Sequence, residues 1–319
     1  MNSIKNLKSS HTLYWENELI AALICADETH AHLNRNEIPT TKNCSQFTYK
    51  PDFVTYFWDI LALNANQIRA DINLLPLSFD HLSAVPDHVI MQHPTNTIIH
   101  SSAIIEPGCI IIADDGSVYL GAHCKLEAGT IIKGPVAICD HSEIKMGARI
   151  YNGTTIGTFC KVGGEISNSI FHSYSNQSDD GFMGSSIIGQ WNNFGAGTNT
   201  SNLKNNYSPI KLVDWGRKTY YEGGVQFFGS VFGDFSKTAI QTKLNTGTIC
   251  GVSSNILTSG FPPKLIPSFK WLSDTPEAYN FEKAIETMRV IMGRHIISLS
   301  EEYSKMMRYI YDLENTPSS

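Results

Sequence analysis

Glycine is missing from the first 107 residues, and all 24 glycines lie between Gly108 and Gly293. A glycine-rich loop that cradles nucleotide phosphates through its backbone amides therefore has no place in that segment. Surplus positive charge is missing too. With 24 Lys and Arg against 30 Asp and Glu, the net charge is -6, and the lysines at Lys5 and Lys8 are too thin a cluster to make a basic footprint. Nucleic acid is not an expected partner. No apolar run approaches the roughly 20 residues that cross a bilayer. The opening MNSIKNLKSSHTLYWENELI lacks the apolar segment and cleavage site of a signal peptide. The expectation is a cytoplasmic protein with no membrane partner. The seven cysteines, an odd number with no CxxC, read as reduced and mostly buried thiols. A composition of 42% hydrophobic and 17% charged residues is that of a folded globule.

What the chain does have is a period of six. Leu120, Leu126, Ile132, Ile138, Ile144, Ile150, Ile156 and Val162 follow one another without a miss, and the residues two places earlier, from Val118 and Cys124 to Thr154 and Cys160, are all small or β-branched. Neither a helix nor an ordinary strand has that period. It is the signature of a hexapeptide-repeat parallel β-helix, in which three units make a triangular coil of about eighteen residues. The repeat starts weakly at Ile98, Ile104 and Ile110 and resumes at Phe182, Ile188 and Phe194 after SNSIFHSYSNQSDD. It returns loosely from Val225 to Leu257. Residues 201–224, with Pro209 and four aromatics, break the period and read as a loop leaving the coil stack, where β-helices usually carry function.

Three regions follow. Residues 1–95 are expected to form a small α+β segment: strands lie within 12–25, and Phe53, Phe57 and Leu61 share a helical face. Asn64 and Gln67 suggest a capping box before Ile68, Ile72 and Leu75, with Pro76 ending that helix. Residues 96–271 form the β-helix, closed by the three prolines of FPPKLIPSFKW. Residues 272–319 hold two helices, one marked by Phe281, Ile285, Met288 and Ile291. The other is capped by Ser298 with Glu301 and carries Tyr303, Met307, Ile310 and Leu313.

The stretch GGEISNSIFHSYSNQSDDGFMGSSIIGQWNNFGAGTNTSNLK, with NLKNNY, LNTGT and GFPPKLIPSF further on, resembles the acetyltransferase half of a divergent bifunctional family, the UDP-N-acetylglucosamine diphosphorylase/glucosamine-1-phosphate N-acetyltransferases. The resemblance implies a left-handed β-helix, a homotrimer with sites between subunits, acetyl-CoA or another acyl-CoA as donor, and a sugar phosphate or nucleotide sugar as the other partner. Carried over residue by residue, it implies that Asn193 and Asn202 are substrate-site asparagines. Asn202 would hold the acyl oxygen as charge develops, a task suited to a neutral amide donor. It implies that Arg149 clamps a sugar phosphate, that Ala196 offers the donor a backbone contact and that Ser230 holds the pantetheine arm. Lys204 is a further candidate for phosphate or donor.

The departures weigh as much. Where the resemblance places a catalytic histidine, this chain has Asp179, and a carboxylate with an ordinary pKa near ~3.9 needs burial or crowding, for example by Asp180, to serve as a base. Two family tyrosines become Phe182 and Leu203, and a phosphate-binding lysine becomes Ser167. Uridylyl transfer is expected to be absent, or its phosphate loop to lie outside this chain. No metal is expected: His123 and His141 lie eighteen apart, hence one coil above the other, without a third histidine at ligand spacing. Three readings stay open: an acyltransferase, a non-catalytic sugar-nucleotide binder or scaffold trimer, and a nucleotidyltransferase homologue that borrows its catalytic domain.

Overall fold

A computed structural model describes residues 11–15, 18–23, 43–46, 52–75, 79–82, 85–215, 219–222 and 225–315. The chain divides into two compact units, residues 1–55 and 56–319. In the first, His11–Trp15 pairs antiparallel with Glu18–Leu23 and parallel with Asn43–Gln46, with Thr12 and Leu13 buried. Lys5, Lys8, Cys25 and Pro76 lie outside the described residues.

The second unit is a parallel β-helix with three stacked sheet faces. Its first face stacks eight strands from Ile90–Gln92 through Arg149–Ile150, Glu165–Ser167, Phe182–Gly184 and Asn199–Thr200 to Lys243–Leu244. Its second face stacks nine, from Thr97–Ile99 to Leu265–Ile266. The third runs from Ile104–Ile105 to Asn176–Gln177 and continues, through single bridges at Asn193, to Lys237–Thr238, Asn255–Ile256 and Lys270–Leu272. All eight aliphatics of the repeat row are buried, as are the eight small residues two places earlier. Full burial of each aliphatic stabilises by about 1.5–3 kcal/mol. Several buried hydroxyls bond to backbone, as when Ser142 Oγ donates to Gly157 O at 2.6 Å and accepts from Cys160 N at 3.0 Å, while Thr154 Oγ1 has no partner. Burial pushes the Cys124, Cys160 and Cys250 thiols up to about 12, which leaves them inert.

Away from the strict row, corner lengths shift the register. The first coil turns Ile99, Ile105 and Ile111 inward and leaves Ile104 exposed, one residue later than the expected Ile98, Ile104 and Ile110. Nine residues separate Ile111 from Leu120, so counting by sixes across that corner slips, and a slip of one reverses every side chain. The coil also continues through SNSIFHSYSNQSDD, with Phe171 and Gln177 inward. Only four residues separate Val162 from Ile166 and five separate Ile166 from Phe171, the first across the tight Gly163–Gly164 corner. As a result Met183 is the buried residue of its strand and Phe182 points outward, the reverse of the expected resumption at Phe182.

Helix α1 (Phe57–Ile72) lies on the coil and not in an N-terminal module ending at residue 95. Asn64 is no cap. It sits mid-helix, donating to Gly153 O at 2.8 Å and accepting from Thr155 Oγ1 at 3.0 Å, while Asp59 accepts from Tyr56 N at 2.9 Å at the true start. The segment after Asn202 leaves the coil, as the break in its period predicts, but packs back against it. The described part folds back as the hairpin Lys211–Asp214/Thr219–Glu222, and Ile210, Leu212 and Val213 are buried with Leu61 and Phe228 against the second face. Its apolar residues explain this, since Ile210, Leu212 and Val213 all find cover against that face.

Helices α2 (Phe281–Gly293) and α3 (Glu301–Asn315) pack Phe281, Ile285, Met288 and Met307 onto the corner between the second and third faces. Asn280 caps α2 and Ser300, rather than the expected Ser298, caps α3 by accepting from Tyr303 N at 3.1 Å. Along that corner His123, His141, Phe159, Tyr174, Trp191 and Phe235 all hold left-handed backbone and stack ring on ring, with centroids 4.0–5.9 Å apart. Each stacked pair contributes about 0.5–1.5 kcal/mol, which offsets the ~1–2 kcal/mol cost of a left-handed L-residue.

Candidate functional site

The outward row of the first face runs Arg149, Glu165, Phe182, Asn199, Lys243, each the register partner of the next. Arg149 is exposed and its Nε donates to Glu165 Oε2 at 3.2 Å, so its guanidinium is already partly engaged. Asn199 Oδ1 accepts from Phe182 N at 3.0 Å. Above Phe182 the Asn202 side chain comes in, and its Nδ2 donates to Ser185 Oγ at 3.4 Å. The two meet over Gly184. A Cβ there would stand 2.6 Å from the Phe182 ring and 2.7 Å from Asn202 Nδ2, so only glycine lets the ring and the amide converge.

Asn202 also anchors the base of the loop, its carbonyl accepting from Phe228 N at 2.9 Å. Lys204 Nζ donates to Pro209 O at 2.6 Å and Ser208 Oγ at 3.3 Å. Its charge, after burial, helps hold the Lys264 ammonium below the usual lysine range. Among the described residues, neither lysine pairs with a carboxylate.

The edge between the third and first faces carries Asp179 and Asp180, both exposed. Gly197 N donates to Asp180 O and Gln241 N to Ala196 O, each at 2.7 Å, which stacks Asp180, Ala196 and the highly exposed Ile240 in one column. Among the described residues the Asp179 carboxylate has no hydrogen bond or ion pair, and the burial that a carboxylate base needs is absent from this edge. Asn193 is exposed on the third face, bridged between Asn176 and Lys237. Lys237 is half-buried, its Nζ donating to Phe235 O at 3.1 Å, and burial pulls its pKa down to about 8.

One expected residue does not belong to any surface site. Ser230 is fully buried, with its hydroxyl inside the coil, because it opens a strand whose odd positions face inward at this corner; it has no path to a pantetheine arm. Arg149, Asn202 and Lys204 share the first face and its loop, Asp179 and Ala196 share the next edge, and Asn193 lies beyond that edge. Ile240, Lys237 and Lys264 were not visible to the sequence reading. A large aliphatic left in solvent at a corner is a usable signal only once the inward register from Phe232 to Ile256 is known. Among the described residues no group of three or more His, Cys, Asp or Glu could hold a metal ion.

Residues 1–78 match the sugar nucleotidyl transferase family model. A curated relative, the bifunctional protein GlmU of Methanococcus vannielii, is 37% identical over 99 residues, which cover 31% of this chain and 23% of the relative. Both likenesses are partial, the first confined to residues 1–78 and the second to 99 residues. The match spans less than a quarter of the relative's length. Solved structures with a similar course include a hexapeptide transferase family protein from Anaplasma phagocytophilum (15% identical, 67% of this chain and 92% of that one, TM-score 0.30). Another is UDP-N-acetylglucosamine acyltransferase of Francisella novicida (14%, 70% and 79%, TM-score 0.26). A third is AntD, an N-acyltransferase from Bacillus cereus in complex with dTDP and 3-hydroxybutyryl-CoA (11%, 65% and 90%, TM-score 0.25). Likenesses at these scores carry no functional argument.

Proposed function

We propose that the chain is an acyl-CoA-dependent acyltransferase whose acceptor is an amine or hydroxyl on a sugar phosphate or nucleotide-linked sugar, working as a cytoplasmic homotrimer. The observation that carries this reading is the convergence of the Asn202 amide and the Phe182 ring over Gly184. An amide N–H held beside a flat apolar ring on a rigid sheet face is suited to a carbonyl oxygen that gains charge. In the step proposed, the acceptor nitrogen or oxygen attacks the thioester carbon and the C–S bond breaks. The acceptor's proton leaves to water or Asp179, and the departing coenzyme A thiolate takes up a proton from the same source to become the free thiol. Asn202 holds the oxyanion, Arg149 and Lys204 draw the phosphate, and Ala196 offers backbone to the donor. Thiol release from acetyl-CoA in the presence of amino-sugar phosphates and nucleotide sugars tests it. Release that falls by about a hundredfold in Asn202→Ala supports the reading, and no release with any acceptor, in Asp179→His as well as the native chain, sinks it.

The exposed, unpartnered Asp179 favours a second reading, a sugar-nucleotide binder built on the same scaffold. A melting shift with UDP-sugars and none with coenzyme A would select it.

A further inference from the structure

The outward row at the top of the third face runs Asn193, Lys237, Asn255, Trp271, each the register partner of the next. Register partners on neighbouring strands stand about 4.8 Å apart with their side chains on the same side of the sheet. Lys237 is the one charged group of the four. It is half-buried, and its Nζ has a single partner, the carbonyl of Phe235 two residues earlier, at 3.1 Å. Among the described residues no carboxylate pairs with it. Lower on the same face Lys125, Lys145 and Lys161 each pair with a glutamate, Glu106, Glu127 and Glu143.

The neighbour one rung above has the matching defect. Asn255 is 6% exposed, and its Nδ2 has no hydrogen-bond partner. An ammonium without a counter-ion thus stands beside an amide N–H without an acceptor, and each destabilises the fold. One chemical change answers both. An amide at the end of the Lys237 side chain carries no charge, and it brings a carbonyl oxygen to the rung where Asn255 lacks one.

We propose that Lys237 is a modification site, its Nζ taking a short acyl group from an acyl thioester or an acyl phosphate. The nitrogen lone pair attacks the acyl carbon and an N–C bond forms. The C–S bond of the thioester, or the C–O bond to the phosphate, breaks; the electron pair leaves on sulfur or oxygen, and the amine proton passes through water to the leaving group. Burial, which holds the ammonium down to about 8, supplies more free amine at neutral pH than a solvated lysine has. The acyl group stays on the chain, so this step stands apart from transfer to a sugar.

Incubation of the full chain at neutral pH with acetyl-CoA or acetyl phosphate, followed by peptide mass spectrometry, tests it. Acetylation should reach Lys237 about tenfold faster than the exposed Lys243 of the first face, and the faster of the two reagents names the source. The acetylated chain should melt roughly 2–4 °C above the untreated one, while Lys237→Arg put through the same treatment should not shift. Asn255→Leu should remove most of the rise and still be labelled at Lys237, because the acceptor then has no donor to meet. Labelling of Lys237 no faster than Lys243, or an acetylated native chain that melts at or below the untreated one, overturns the proposal. One equivalent of thiol released from acetyl-CoA without any acceptor, and lost in Lys237→Arg, marks this step. Sustained release that needs a sugar acceptor marks the transferase, so either can fail while the other holds.

Discussion

Replacing Gln177 by methionine should stabilise the protein. Gln177 is 1% exposed and is the register partner of Val162, so it occupies an aliphatic rung of the third face between Val162 and Phe194. Neither atom of its amide has a hydrogen-bond partner. A buried polar group left unsatisfied costs about 1–3 kcal/mol, and methionine keeps the unbranched length without that group. The gain should be about 2 kcal/mol, the middle of that range. For a unit of this size it corresponds to a rise of roughly 4–8 °C in melting temperature. Urea unfolding followed by circular dichroism should show a higher midpoint at an unchanged slope. Ile144→Ala, which empties the rung on the far side of Val162, should lower stability by about 2–5 kcal/mol and move the midpoint the other way. An unchanged or lower midpoint for Gln177→Met would refute the reasoning, because it would mean that water or backbone satisfies the amide in solution. Gln177 lies two residues before Asp179. A variant that is more stable yet transfers acyl groups less well would tie the amide to the site.

Three further outcomes are expected. Gly184→Ala should depress acyl transfer more than stability, since its Cβ meets the Phe182 ring and the Asn202 amide and the two must part; parallel losses in kcat/KM and melting temperature would count against a site there. Lys237 is held down to about 8 by burial, from 10.5. The unfolded chain therefore binds more protons between those values, and stability should rise with pH across that window. Lys237→Met should raise the melting temperature at pH 7, by an amount on the order of 2–3 kcal/mol, and much less at pH 10; an equal effect at both pH values would contradict the burial argument. His295 lies edge-on to Phe159, Tyr174 and Trp191, and burial, with Arg294 and Lys161, lowers its pKa from 6.5. Its neutral form is favoured by folding, so stability should fall as pH drops below about 6.5, and His295→Phe should flatten that part of the profile in a melting series from pH 7 to pH 5.

The fold was legible wherever corner length stayed constant. From Leu120 to Val162 each corner spends the same number of residues, so inward positions fall six apart and the row names itself. Phe232 to Ile256 repeats the behaviour, with Thr238, Leu244 and Cys250 between. Corners that lose or gain residues are invisible to a fixed period, which is why Phe182, expected inward, faces out; Ser230, carried over from the family resemblance and not from the period, is inward because it opens the strand two residues before the inward Phe232. The same shift hid Gln177, a polar residue on an inward rung. Asn64 was misread for a related reason. A capping pattern and a pair of buried hydrogen bonds to Gly153 and Thr155 ask for the same short polar side chain, and only the docking partner distinguishes them. The cap of the last helix is displaced by two residues, because Ser298 and Ser300 offer the same hydroxyl at the same boundary, and the Asn280 cap of the helix before it has no counterpart in the sequence pattern.

The distribution of site residues around the triangular cross-section bears directly on mechanism. Asn202 and Phe182 face outward from the first face, and Asp179 occupies the edge that follows the third face. Asn193 looks out from that third face. Parallel strands on a rigid coil cannot rotate these groups toward one another, since every rung is fixed by its neighbours above and below. A substrate that touched Asn202 on one chain could not at the same time touch Asn193 of that chain. On the proposed reading, the first face of one subunit must therefore meet the third face and edge of another, so that Asn202 and Phe182 come from one chain and Asp179 and Asn193 from its neighbour. The environment of Asp179 would then be set by the adjoining subunit, whose approach supplies the burial missing from the single chain. Complementation decides the matter. Mixing Asn202→Ala with Asp179→Asn chains should restore part of the thiol release if each composite site needs one residue from each chain, and mixed assemblies no more active than either parent would require all the chemistry to lie on one coil.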